Sequence, residues 1–229
     1  MEECLKNFLE DDKMNINHYT KIFIKNIMLG LGNVHLSLLN KCQVYRVLEK
    51  AYIAMSPRTF DKLRDDAEID SAKKKEVLYE LTQKFVDYFK APAPATQAEF
   101  DKWHKETCEW FVKEFNARVM SPSGYKDIEY GKAQKIVNIA FKYLYLFCDI
   151  VPGNPGHFTF CHFAIDSITL AWYKKNIDPK CSVGNWSDMT YDEYIEIQKN
   201  IRAYISKHIP DKTPFEAEFE IWSDLYYGE

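Results

Sequence analysis

Two residues 31 positions apart, Lys135 and Asp166, carry the most chemistry this chain offers. Lys135 closes the run Tyr130-Gly131-Lys132-Ala133-Gln134-Lys135 at the start of an apolar helical stretch. Asp166 lies in His162-Phe163-Ala164-Ile165-Asp166-Ser167, at the start of the next. An amine and a carboxylate at adjacent helix starts suit carbonyl or acetal chemistry: the amine adds to an electrophilic carbon and the carboxylate stabilises the developing cation. Taken singly, the first is a solvated lysine and the second an ordinary helix cap. Their meaning therefore depends on the elements that hold them.

Those elements read as helices almost throughout. Residues 16–29 place Ile16, Tyr19, Ile22, Phe23, Ile27 and Met28 near a 3.6-residue repeat, and Gly30-Leu31-Gly32-Asn33 stops that helix. An apolar stretch runs from Val34 to about Met55, and Ser56-Pro57 opens another helix. Residues 71–90 form a charged amphipathic helix with Val77, Leu78, Leu81, Phe85 and Phe89 on one face. Ala91-Pro92-Ala93-Pro94-Ala95 breaks the pattern, because alternating prolines force an extended segment. The break either separates two helical domains or joins two helical layers that share a cleft; we favour the second, a single all-α domain over 1–229 with a subdomain break near 91–96. Thr96 then caps a helix over 97–118, and Ser121-Pro122-Ser123-Gly124-Tyr125 turns the chain towards Lys135. Lys142 falls two helical turns after Lys135, about 20° off the same face. Asp166 caps a helix reaching about Lys175, Thr190 and Glu193 fit a capping box, and Thr213-Pro214-Phe215-Glu216 opens the last helix.

Bulk properties narrow the partners. The 229 residues, 46% hydrophobic and 28% charged, suit one sizeable core, and eight glycines argue against a loop-rich β-sandwich or barrel. No apolar run approaches the roughly 18 residues of a membrane span. The acidic start Met1-Glu2-Glu3-Cys4 lacks a signal-peptide pattern, so the six scattered cysteines read as reduced thiols of a cytoplasmic protein. Cys161 and His162 are adjacent rather than at ligand spacing, so neither a metal nor another cofactor is expected. A net charge of −4 argues against a broad non-specific nucleic-acid surface but leaves room for a local basic patch.

In its C-terminal half, over about residues 120–225, the chain resembles the archaeal 8-oxoguanine DNA glycosylases (AGOG), a branch of the helix-hairpin-helix DNA glycosylases. Four blocks carry the resemblance in order: Gln134-Lys135-Ile136-Val137-Asn138-Ile139, Phe163-Ala164-Ile165-Asp166-Ser167-Ile168, Tyr194-Ile195-Glu196-Ile197-Gln198-Lys199, and a final helix ending on Trp222. The resemblance implies an all-α fold with two helical subdomains flanking a cleft and a hairpin at about Ser121–Lys135, inside a catalytic segment of about 120–175. It makes Lys135 the nucleophile and Asp166 the assisting carboxylate. The resemblance further implies that the partner is damaged or modified DNA and that the protein, expected to be a monomer, excises an oxidised purine or other modified base and cuts the strand through a lysine Schiff base. An attacking lysine must be neutral, a state favoured by burial or by a nearby cation, for which Lys132 and Lys142 are candidates. The base pocket is assigned to Trp222, Glu218, Ile139 and His18, and DNA contacts to Gly124, Tyr125, Gly131, Lys132, Gln134 and Lys142.

The chain departs from that family at three of these points. Ile139 stands where the family stacks a Phe on the base, Ala164 replaces a Pro, and Glu218 replaces an Asp. These departures bear on base recognition more than on the Lys/Asp chemistry. Two other readings stand beside it. One is a helical binding module on the same scaffold without activity. The other rests on Arg202 and His208, whose spacing is similar to that of HEPN ribonucleases, although Pro210 interrupts the helix that should follow.

Overall fold

The computed structural model describes residues 40–55, 71–123, 126–147 and 155–227. Among these residues there are α-helices and short helical turns, and no strand. In chain order the helices are α1 (Lys41–Met55), α2 (Ser71–Lys90), α3 (Gln97–Phe115), α4 (Tyr130–Phe147), α5 (Ser167–Asn176), α6 (Tyr191–His208) and α7 (Pro214–Tyr227). The all-α expectation holds. The helices expected over 16–29 and from Ser56 lie outside the described residues, as do His18, Gly124 and Tyr125.

The helix starts follow from local hydrogen bonding. The Thr96 side chain accepts from the Glu99 amide, Thr190 and Glu193 form the expected capping box, and Thr213 and Glu216 repeat that arrangement before α7. Two boundaries differ from expectation. Helix α3 ends at Phe115 and passes into a π turn over Asn116–Met120. There the Asn116 side chain reaches the Ile128 backbone, accepting from its N–H at 2.8 Å and donating to its C=O at 3.0 Å, which ties the turn to the approach of α4. Helix α4 begins at Tyr130, so Lys135 lies in its second turn rather than at its start.

A single hydrophobic cluster runs through the described helices, from Val44 and Leu48 of α1 to Phe215 and Ala217 of α7. Helix α4 lies at its centre: α1 and α3 pack on it, α2 packs on α1 and α3, and α6 reaches it from the group formed with α5 and α7. The extended Ala91–Ala95 segment does not detach the two groups. His157 bonds the Ala91 carbonyl at 2.9 Å, and the Tyr88 hydroxyl donates to the His157 carbonyl at 2.6 Å. Rings of Phe85, Tyr88, Phe100, Trp103 and Phe141 interlock beside this junction with centroids 4.5–6.2 Å apart. No described helix is long and apolar enough to cross a membrane.

Candidate functional site

Residues Cys161–Asp166 run extended between the Pro155–Phe158 turn and α5. Extended chain buried among helices has no sheet partner, so side chains must satisfy its backbone. Four helices supply them. Gln198 of α6 accepts from the Phe163 N–H at 3.2 Å and donates to the Phe163 C=O at 2.7 Å. Gln134 of α4 treats Ile165 the same way, at 3.2 and 2.6 Å. The intervening Ala164 N–H donates to Glu218 of α7 at 2.7 Å, and the Thr169 hydroxyl donates to the Ala164 carbonyl at 3.0 Å. Alternate residues of an extended chain point their amides to opposite sides, which is why the two glutamines serve one edge and Glu218 and Thr169 the other.

That clamp presents Asp166 with its two oxygens in different roles. Oδ1 caps α5, accepting from the Ile168 and Thr169 amides at 2.9 and 3.0 Å. Oδ2 faces outward, 3.3 Å from Lys135 Nζ and 3.4 Å from Trp222 Nε1. Lys135 also lies over the ring of Trp186, 4.8 Å from its centroid. The Lys135 and Asp166 side chains are each only 13% exposed, so their attraction is weakly screened. Burial raises the Asp166 carboxyl, but Lys135 and the Thr169 and Ile168 amides outweigh it and hold it below its ordinary 3.8. Lys135, Asp166 and Trp222, expected from sequence to meet, are brought together.

Other candidates are placed elsewhere. Glu218 does not line an open pocket: it is buried, pairs with Lys142 and holds the Ala164 amide. Burial pushes its carboxyl up, opposed by Lys142 and the Ala164 N–H. Lys142 is buried with it, so its charge is spent inside the protein, under the Phe219 ring, rather than on a phosphate. Gln134 is fully buried in the backbone clamp. Gly131 is occupied too: its N–H donates to the Met189 carbonyl at 2.9 Å, and a Cβ there would sit 1.9 Å from the Trp186 carbonyl oxygen. Gly131 is thus a packing glycine that lets the 3-10 turn Trp186–Asp188 approach α4 and bring the Trp186 ring to Lys135. Ile139 is half-buried one turn beyond Lys135, on the same face of α4. Lys132 is half-buried near Asp188; burial lowers its amine from the ordinary value, while Asp188 opposes.

Arg202 and His208 have separate partners. Arg202 turns to Asp101 at 3.4 Å, whereas His208 bonds the Tyr204 carbonyl at 2.9 Å and stacks on the Tyr204 ring. Trp186 was missed by sequence reasoning: it lies 51 positions from Lys135 and follows Asn185, which caps its own short turn, so no spacing marks it. Gln198 was visible only as part of a block; its clamp is a tertiary contact. Cys42, Cys108, Cys161 and Cys181 are free thiols. Among the described residues, no group of three or more His, Cys, Asp or Glu side chains is arranged to hold a metal ion.

No family model matches this chain, and no curated protein or solved structure matches it significantly.

Proposed function

We propose that this chain is a DNA glycosylase with associated lyase activity, acting on an oxidised purine or another modified base. The observation that carries the reading is the convergence of Lys135 Nζ and Trp222 Nε1 on one oxygen of Asp166, at 3.3 and 3.4 Å. In this reading the segment of about Ser121–Lys135, which leads from α3 into α4, acts as the hairpin, and the two helix groups that meet at α4 flank the cleft. The modified base leaves the stack to enter it. As the bond from the sugar C1′ to the base breaks, its electron pair leaves with the base, which takes up the proton that the Lys135 ammonium gives up, so the amine gains its lone pair. Positive charge develops on the sugar, and Asp166 stabilises it. The Lys135 lone pair forms the new bond to C1′, and the amine sheds a proton for which Asp166 is the adjacent acceptor. Ring opening yields the Schiff base, from which elimination cuts the strand at the 3′ side. Trp222 orients the carboxylate through its indole N–H, and Trp186 shields the amine.

Borohydride trapping against a panel of damaged duplex and single-stranded oligonucleotides tests this. The expected result is a covalent adduct with at least one substrate, lost in Lys135→Gln. If no substrate in the panel yields such an adduct, the lyase proposal fails; base release that survives Lys135→Gln but needs Asp166 indicates a glycosylase without lyase activity.

A second reading draws on the commitment of Gly131, Gln134 and Lys142 to internal contacts, which removes three of the expected DNA contacts. It makes the chain a helical binding module in which Lys135–Asp166 is a structural ion pair. Under it, any DNA binding persists unchanged in Lys135→Gln and no adduct forms.

A further inference from the structure

A continuous chain of polar side chains lies behind the candidate site, and no step above uses it. Arg202 lies 3.4 Å from Asp101 Oδ2, and Asp101 Oδ1 lies 2.6 Å from His162 Nε2. His162 Nδ1 lies 2.9 Å from the Tyr194 hydroxyl, which in turn is 2.9 Å from Asn138 Nδ2. Asn138 Nδ2 also reaches Gln134 Oε1 at 3.0 Å, and Gln134 holds Ile165, the residue before Asp166. A branch runs from Asn138 Oδ1 to His104 Nε2 at 3.1 Å and from His104 Nδ1 to the Tyr130 hydroxyl at 3.0 Å. His104, Gln134, Asn138, His162 and Tyr194 are all buried.

Donor and acceptor capacity leaves this chain one direction. Gln134 donates to the Ile165 and Gly131 carbonyls, so its amide orientation is set and Oε1 must accept from Asn138. Asn138 Oδ1 then accepts from His104 Nε2, which carries that imidazole's hydrogen, and His104 Nδ1 accepts from Tyr130. The Tyr194 oxygen accepts from Asn138, so its one hydrogen points to His162 Nδ1, which must be bare. His162 keeps its hydrogen on Nε2, towards Asp101. A proton added at His162 Nδ1 would turn that nitrogen into a donor aimed at the Tyr194 oxygen. The Tyr194 hydrogen would lose its acceptor, inside the protein where such a loss is most costly.

We propose that this chain positions Asp166: neutral His162, acting through Tyr194, Asn138 and Gln134, holds Ile165–Asp166 in register with Lys135 and Trp222, and protonation of His162 releases it. The charged and titratable groups facing His162 are Asp101 and His104 from α3 and Tyr194 and Arg202 from α6, with Glu218 of α7 acting on Tyr194. Burial, reinforced by Arg202 and opposed by Asp101, holds His162 below its ordinary 6.5. The His104 ring lies 4.5 Å away, and burial keeps it neutral as well. The inference rests on the glycosylase reading only for its effect on activity; the structural coupling stands without it.

Nitrogen-15 NMR of the full chain from pH 8 to 4 reads both ends of the network. The His162 imidazole reports its own tautomer and titration, and the Trp222 indole N–H reports the Asp166 carboxylate it donates to. The expected result is an Nε2–H tautomer for neutral His162 and a Trp222 signal that moves with the His162 midpoint. In Tyr194→Phe, which cuts the chain and leaves His162 in place, the Trp222 signal no longer follows that midpoint. An Nδ1–H tautomer, a Trp222 signal indifferent to His162 in the wild-type protein, or unchanged coupling in Tyr194→Phe overturns the proposal. The wild-type titration decides even if a variant fails to fold. Where trapping finds a substrate, kcat/KM falls about tenfold per pH unit below the His162 midpoint, and an acid limb unmoved in Tyr194→Phe overturns the positioning role. Coupled titration with neither a trapped substrate nor base release sinks the glycosylase reading and leaves this inference standing.

Discussion

Asp166 divides its work between its two oxygens, and substitutions should separate the two. Asp166→Asn keeps one oxygen that can cap α5 but removes the charge opposite Lys135, so the loss should appear in base release more than in folding. Removing an electrostatic stabiliser of this kind costs about 10²–10³-fold in rate, read here as single-turnover base release alongside an unfolding midpoint lowered by loss of the Lys135 pair. Glu218 behaves differently. Lys142→Met leaves a buried carboxylate without its cation, a change that costs about 3–5 kcal/mol when the charge persists. Burial already pushes the Glu218 carboxyl up, and loss of Lys142 pushes it further. The penalty should therefore be larger at pH 8 than at pH 5, where protonation relieves it; urea unfolding of both proteins at the two pH values checks this.

The extended segment before α5 owes its shape to α4, α6 and α7 rather than to its own preferences. Gln198→Leu strips the partners from both backbone groups of Phe163, and Gln134→Leu does so at Ile165. Each unsatisfied buried group costs about 1–3 kcal/mol, so either change should lower stability markedly and loosen Asp166, seen as lost hydrogen-exchange protection of the Phe163 or Ile165 amide. The start of α4 carries a steric constraint of its own. Gly131→Ala would drive a methyl group into the Trp186 backbone, 1.9 Å away, with no flexible side chain to yield. The 3-10 turn must move, which should reduce stability by about 1–3 kcal/mol and displace the Trp186 ring from Lys135, measured by thermal unfolding and tryptophan fluorescence.

Across the chain as a whole, buried neutral histidines make stability depend on pH. His104 and His162 are both held below 6.5 by burial, so the unfolded chain binds protons that the folded chain excludes. Stability is then full above about pH 6.5 and falls as pH drops from there towards the folded values, because protonation favours the unfolded state. Asp166 adds to this only below its ordinary 3.8. Thermal unfolding at pH 8, 7, 6 and 5 should show a decline beginning near 6.5. His162→Gln should flatten it in part, since His104 continues to contribute.

Helix starts and helix faces were legible in the residues themselves. Thr96, Asp166, Thr190 and Thr213 announce their helices because capping depends on side chains within three or four positions of each other. The apolar stripe of Val77, Leu78, Leu81 and Phe85 marks the buried face of α2 because helical periodicity is local. Lys135 and Asp166 could be named as a pair for the same reason, each lying near a recognisable helix start. Whether their side chains meet depends on how α4 and α5 pack, and only the tertiary structure settled that distance. It also turned Gln134, Gly131 and Lys142 from expected DNA contacts, and Glu218 from an expected base-pocket residue, into internal ones. Burial, rather than residue type, decides whether a lysine faces solvent or a buried carboxylate and whether a glutamine meets a ligand or a backbone. Burial arises from contacts between residues far apart in sequence, such as Glu218 with Ala164 and Trp186 with Lys135, which no local pattern encodes.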